Sequence, residues 1–256
     1  MAQKQRLKLK KWIIGLLAAA ALGGALLGKI APMEAGFSNL FKKEKEAVLG
    51  EDSTNKTSEN VGKIVTSETE EVQLSYAEQV TQEIQQDKFN GRINVPLLLQ
   101  TEDYWKTIPY GTGENNTLEK NGCAIVSLAM VASYLDNAEV LPQEILDWSK
   151  NDYFIEGQGT GWGIFAEFAA VKGYVYENLP SLSAVEEQLI QGHPVIISVK
   201  PGAFTQTGHI MVLTGYSDGK FWLNDPNDNE EKGHSRMAYT PEQLETDAMN
   251  YWAIYK

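Results

Sequence analysis

The first polarity pattern in the chain is a block rather than a period. Trp12 to Gly28 is a charge-free apolar run of seventeen residues, set behind Lys4, Arg6, Lys8, Lys10 and Lys11. As a helix it spans about 26 Å at 1.5 Å per residue, long for the core of a secretion signal and marginal for a bilayer. Residues 31–71 are then dominated by Glu, Lys, Ser, Thr and Asn and hold too little apolar surface for a core, which reads as a solvated, disordered stalk. Within 72–89 the spacing of Val72, Tyr76, Val80 and Ile84 predicts an amphipathic helix docked on its own domain.

From about residue 91 the pattern is that of a folded domain. Asn94–Gln100 reads as an edge strand, because Pro96 has no N–H for a central ladder. Cys123 opens an apolar helix that runs to about Leu135 and is apolar on most faces, so it is buried. Shorter helices are predicted over Pro142–Lys150, Ile164–Lys172 and Ser183–Gln191, the last stopped by Gly192 and Pro194. Strand-like runs follow at Val195–Val199, Gly208–Tyr216, Lys220–Asp225 and Tyr251–Tyr255. A helical front half and an antiparallel back half define an α+β domain over 91–256, preceded by a basic signal segment over 1–30 and the stalk over 31–90.

Charge changes the picture in two ways. The net charge is −12, and beyond residue 30 there are 16 basic against 34 acidic side chains, a balance that repels phosphate backbones and excludes a nucleic-acid partner. The basic start places the N-terminus in the cytoplasm and the domain outside, held by an uncleaved signal anchor in preference to a cleaved signal. The partners expected are therefore the membrane, through this helix, and molecules at the cell surface. Export also bears on Cys123, the only cysteine. Exported domains use cysteines in pairs, so an unpaired one points to a reactive thiol. At a helix start, free N–H groups and the helix dipole favour the thiolate, which is the nucleophile.

A catalytic thiol needs a base, and the chain offers three histidines. His193 lies in a Gly-His-Pro turn, and His234 in the polar stretch Glu231-Lys232-Gly233-His234, where a surface position is the simplest reading. His209 opens a strand behind Gly208, held rigidly yet able to face a cleft. If its strand pairs with Phe221–Leu223 through Ser217-Asp218-Gly219, His209 becomes a neighbour of Asp225, which can orient the imidazole. Other chemistry is weaker. The glycines of Glu156–Gly163 lack the strand and the Lys-Ser/Thr pair of a phosphate loop and read as a flexible loop opening the next helix. Asp225, Asn227 and Asn229 alternate like a calcium loop, but Glu230 stands where such a loop needs glycine, so a solvated acidic turn is expected. One Cys and three scattered His give no zinc spacing. No metal or cofactor is implied.

Asn121-Gly122-Cys123 leading into an apolar helix, Gly208-His209-Ile210 with Thr214-Gly215-Tyr216, and Asn224-Asp225-Pro226 together resemble a bacterial cysteine peptidase family. That family is related to the double-glycine peptidases that trim bacteriocin leaders and belongs to the papain-like superfamily. The resemblance covers roughly residues 93–256. It implies a papain-like fold with a nucleophile helix packed on an antiparallel sheet, with Cys123 as nucleophile, His209 as general base and acid, and Asp225 as the residue that orients His209. The oxyanion hole would use the Cys123 N–H and an upstream side-chain donor. Leader peptidases place a glutamine a few residues before the nucleophile, whereas this chain has Leu118-Glu119-Lys120-Asn121-Gly122 there; Gln100 is the best candidate, with Asn121 and Asn116 competing. Trp162 with Gly161, and Gly208 beside His209, are candidates for a substrate groove. The activity implied is hydrolysis of peptides or proteins outside the membrane. An amidase or acyltransferase on the same scaffold, and a surface binding module with a decayed site, are the alternatives.

Overall fold

The computed structural model describes residues 73–256; the basic start, the apolar run and most of the stalk lie outside the described residues. Among the described residues no helix is long and apolar enough to cross a membrane. The first element is the predicted amphipathic helix α1 (Tyr76–Gln85), started by a capping box in which Ser75 and Glu78 satisfy each other's backbone N–H. It buries Ala77, Val80, Thr81 and Ile84 in the domain core. Residues 93–99 follow as an irregular run in place of the edge strand expected, turning where Val95 N–H donates to Ile93 O (2.8 Å). Leu97 N–H donates to Thr81 Oγ1 (2.9 Å) and the Val95 and Pro96 carbonyls accept from Asn224 Nδ2, so side chains take the place of a partner strand.

Next come α2 (Leu118–Asn121), α3 (Cys123–Asp136), α4 (Pro142–Ser149), the hairpin β1 (Phe154–Ile155) with β2 (Gly159–Thr160), and α5 (Gly163–Lys172). The glycine-rich stretch is therefore a tight hairpin, Gly157 and Gly159 taking positive φ (71° and 82°), rather than an unstructured lead into the helix. Helix α3 is buried from Ala124 through Ser133 and ends on Asn137 in the left-handed conformation (φ 50°, ψ 42°).

The back half holds β3 (Val175–Leu179), α6 (Leu182–Ile190), β4 (Val195–Val199), β5 (His209–Ser217), β6 (Lys220–Asn224), one 3-10 turn (His234–Arg236), β7 (Ala238–Tyr239), α7 (Pro241–Glu245) and β8 (Ala248–Tyr255). Six strands form one antiparallel sheet in the order β3-β8-β4-β5-β6-β7. Its central strands are apolar on both faces because both faces are covered. Ile196, Ile210, Val212, Trp252 and Ile254 pack toward α1, α3, α4 and α5, while Val195, Ile197, Val199, Met211 and Leu213 pack toward α6 and α7. Alternation along each strand thus separates two cores instead of a core from solvent. Helix α3 lies against β5, which brings the cysteine helix to the strand that His209 opens.

Candidate active site

Gly122 both ends α2 and precedes α3, with its carbonyl accepting from Val126 N–H at 2.9 Å. A Cβ there would lie 2.4 Å from the Leu118 carbonyl oxygen, so only glycine lets the two helices meet this closely. Cys123 is the first residue of α3, half-buried, with no side chain capping the helix in front of it. Uncapped N–H groups and the positive end of a long buried helix therefore surround the thiol.

Strands β5 and β6 pair antiparallel through Asp218 and Gly219, both at positive φ (53° and 74°), the conformation of a two-residue hairpin turn. The start of β5 consequently lies by the end of β6. His209, 7% exposed, donates from Nε2 to Oδ1 of Asp225 at 2.6 Å, and its imidazole also interacts with the Cys123 side chain. With Nε2 committed to the carboxylate, Nδ1 is the nitrogen left for the sulfur. Burial works against a charged imidazole, but the bonds to Asp225 and Cys123 overrule it and push His209 up to about 10. Burial would likewise raise Asp225; bonds from His209, His234 and the Asn227 N–H instead hold it well below the usual carboxylate range.

The loop after β6 is not the solvated acidic turn expected. Asp225 and Asp228 are fully or almost fully buried, at 0% and 1% exposure. Asp225 Oδ1 also accepts from Asn227 N–H (2.7 Å), Oδ2 accepts from His234 Nδ1 (2.7 Å), and the Asp225 N–H donates to Ser235 Oγ (3.1 Å). Asp228 organises the turn from within: Oδ1 accepts from the N–H groups of Asn229 and His234, and Oδ2 from Ser235 N–H (2.6 Å) and the Tyr76 hydroxyl of α1 (2.9 Å). Buried acids persist because donors surround them. His234, expected at the surface, thus sits inward with its side chain 14% exposed.

Arg92 was not anticipated and locks the same region. Its guanidinium donates to Thr214 Oγ1 (3.1 Å), Ser235 O (2.6 Å), Leu223 O (3.0 Å) and Asn224 Oδ1, tying β5, β6 and the Asp225 loop together. Burial lowers it to about 9, opposed by Tyr76, Asp228 and Glu83.

The Peptidase C39-like family matches residues 92–256, which is well over half of the sequence. The chain belongs to the Peptidase C39-like family. Solved structures similar to this C39-like chain include a C39-like peptidase from Bacillus anthracis (16% identity, 66% of this chain and 98% of that one, TM-score 0.40). Others are the peptidase domain of Streptococcus ComA, a bifunctional ABC transporter in quorum sensing (18%, 53% and 90%, TM-score 0.42), and a double-glycine-motif protease from an AMS/PCAT transporter, solved with its leader peptide (18%, 65% and 93%, TM-score 0.42). No curated protein matches the chain.

The remaining candidate residues of the C39-like domain separate by what their polar groups already hold. Gln100 is 4% exposed; its backbone N–H donates to Pro226 O (2.7 Å), beside Asp225, and its Nε2 donates to Glu119 O, four residues before Cys123. Gln100 thus ties the Asp225 loop to α2, just ahead of Cys123, and its Oε1 has no partner among the described residues. Asn121 instead commits both amide hydrogens, to Tyr110 O (3.0 Å) and Asn116 Oδ1 (2.9 Å), while Asn116 Nδ2 donates to Thr112 O. These two amides brace the loop, and Asn121 has no donor left for an oxyanion. Trp162 is 39% exposed and packs on Trp252 at 5.3 Å between ring centroids. Gly161 donates to Tyr153 O (2.7 Å), and the neighbouring Thr160 reaches both the Tyr110 hydroxyl (2.7 Å) and Asn121 O (3.4 Å), so this segment lies by the turn before Cys123. A Cβ on Gly208 would meet no atom within 4 Å, which leaves the approach to His209 open. His193 stacks on Tyr255 at 4.0 Å and bonds Gln188 Oε1 through Nδ1 (2.7 Å), a packing role away from the thiol. Among the described residues no group of acids, His and Cys has the arrangement of a metal site.

Proposed function

We propose that the domain is a cysteine peptidase acting through Cys123, His209 and Asp225. The observation that carries the reading is His209 between the Cys123 side chain and a fully buried Asp225 2.6 Å away. His209 takes the thiol proton, and the thiolate attacks the carbonyl carbon of the scissile peptide. The tetrahedral oxyanion forms at the start of α3, where the Cys123 N–H and Gln100 Nε2 are the donors. Its collapse breaks the C–N bond as His209 returns the proton to the leaving amine, and water, activated by His209, then hydrolyses the thioester. Trp162, Gly161 and Gly208 line the approach for an extended peptide.

In this reading the apolar run 12–28 anchors the domain at the outer face of a membrane, and its substrates are surface or secreted peptides or the peptide part of the cell wall. The test is product analysis of the full chain and Cys123→Ala on a peptide library, with and without added amine. Cleavage by the wild type alone is expected; no Cys123-dependent cleavage removes the peptidase assignment, and transfer to the amine in place of hydrolysis turns it into an acyltransferase. Recovery of the chain in the membrane fraction after alkaline washing, with the domain open to added protease in intact cells, checks the anchor.

A further inference from the structure

Asp225 holds more donors than an orienting bond to His209 requires. Oδ1 accepts from His209 Nε2 (2.6 Å) and Asn227 N–H (2.7 Å), while the opposite oxygen, Oδ2, accepts from His234 Nδ1 (2.7 Å). A carboxylate only accepts, so each imidazole presents an N–H to it. Bonded through one oxygen alone, the group could turn about its Cβ–Cγ axis; bonded through both, its plane is set and with it the plane of the His209 ring. His234 is itself held from several sides. Its backbone N–H donates to Asp228 Oδ1 (3.0 Å), its carbonyl accepts from the Tyr239 hydroxyl (3.2 Å), and its ring lies edge-on to Phe204 at 5.6 Å.

We propose that His234 is a positioning residue of the Cys123 site: its Nδ1–H holds Oδ2 of Asp225 so that Oδ1 stays on His209 and the His209 ring stays aimed at the sulfur. The inference rests on the peptidase reading of that site. His234 touches neither the thiol nor the peptide. It acts through the carboxylate, in two ways that follow from one bond. Geometrically it stops the carboxylate from pivoting. Electrostatically, a second imidazole N–H stabilises the anion, so that at acid pH the proton of the Asp225–His209 pair stays on His209 and the His209 imidazolium continues to favour the thiolate.

The groups that face Asp225 are His209 from β5, His234 from the 3-10 turn and Tyr239 from β7, with Asp228 in the same loop. Burial, then Asp228 and Asp225, keeps Tyr239 protonated throughout the acid range. Asp228 is common to every variant below, so neither group mimics the expected effect.

The single cysteine makes its alkylation by iodoacetamide a direct readout in the full chain. Rates would be followed from pH 4 to 9 for wild type, His234→Phe and His234→Asn, the last placing an amide N–H near the position of Nδ1. The expected result is an acid limb raised by about one unit in His234→Phe, hence about a tenfold slower reaction at pH values below the limb, and a rate within about twofold of wild type in His234→Asn. Equal profiles for all three would overturn the proposal while leaving the peptidase reading standing. Equal losses in both variants would also overturn it, because packing and not the donor would then be at work. An inert thiol in the wild type would remove the peptidase reading and this inference together. Should His234→Phe fail to fold, long-range nitrogen–proton NMR of the wild-type imidazoles decides: a proton on His234 Nδ1 is required, and an unprotonated Nδ1 refutes the role.

Discussion

His209 is pulled in two directions by its surroundings, and the outcome sets how the domain responds to pH. Burial disfavours its charge, while Asp225 and Cys123 favour it strongly enough to raise it from 6.5 to about 10. A folded-state value above the unfolded one means the native state holds the extra proton, so this contribution to stability is complete below about 6.5 and is lost as pH rises through about 10. Urea unfolding at pH 6, 8 and 10 should show wild-type stability falling across that window, with a flatter profile for His209→Gln. Asp225 has the opposite sense: its stabilisation is present above the ordinary carboxylate pKa and disappears only in strongly acidic solution, so Asp225→Asn should be destabilised at pH 7 and converge toward wild type near pH 2. Among single residues, Cys123, His209 and Asp225 could be named from the sequence because each stands at the end of an element. Arg92 and His234 could not, since an arginine before a strand-like run and a histidine among charged residues carry no local sign of burial. Only the convergence of β5, β6 and the following loop puts acceptors around one and a carboxylate beside the other.

Elements matter here mainly at their junctions. The α2–α3 junction sets the position of the sulfur, and Gly122 fills it because any Cβ would press on the Leu118 carbonyl. Gly122→Ala should therefore cost about 1–3 kcal/mol and slow alkylation of Cys123, read by thermal melting and by the alkylation rate; an unchanged rate would mean that the junction does not hold the thiol in place. The longer helices and the central strands follow from polarity, whereas α2 and α7, of four and five residues, are too short to show a period. The irregular run 93–99 and the strand β3 do not follow from polarity either. The first reads as an edge strand but takes its partners from side chains of Thr81 and Asn224, and the second, Val175–Leu179, is an edge strand whose residues are mostly part-exposed, so it lacks the alternation on which a strand assignment depends. The same cause hid the β1–β2 hairpin, whose strands of two residues are too short to have a pattern.

At the scale of the whole described domain, the N-terminal helix is part of the support for the site. Tyr76 donates to Asp228, Arg236 pairs with Glu83 at 2.8 Å and lies 4.9 Å over the Tyr76 ring, and Thr81 holds the run that leads to Gln100. Helix α1 thus braces the Asp225 loop from outside the sheet. Val80→Asp puts an unpaired carboxylate into the core and should cost roughly 3 kcal/mol or more, lowering the melting temperature by about 2–4 °C for each kcal/mol. Tyr76→Phe removes one bond to a charged acceptor, about 1.5 kcal/mol, and should slow Cys123 alkylation if the brace reaches the site. A melting temperature unaffected by Val80→Asp would show that α1 is not part of the cooperative unit.

What the sequence by itself determined is the α+β character of the domain, the buried cysteine helix and the order in which thiol, imidazole and carboxylate are delivered. These depend on polarity period, turn residues and position within an element, all of them local. The tertiary structure alone decided which polar groups are buried and what satisfies them: the two imidazoles on Asp225, the donors around Asp228, the guanidinium of Arg92 across three segments, and the Gln100 amide on the carbonyl of Glu119. A buried polar side chain is stable only by virtue of partners distant in the chain, so its environment exists only once the chain has folded.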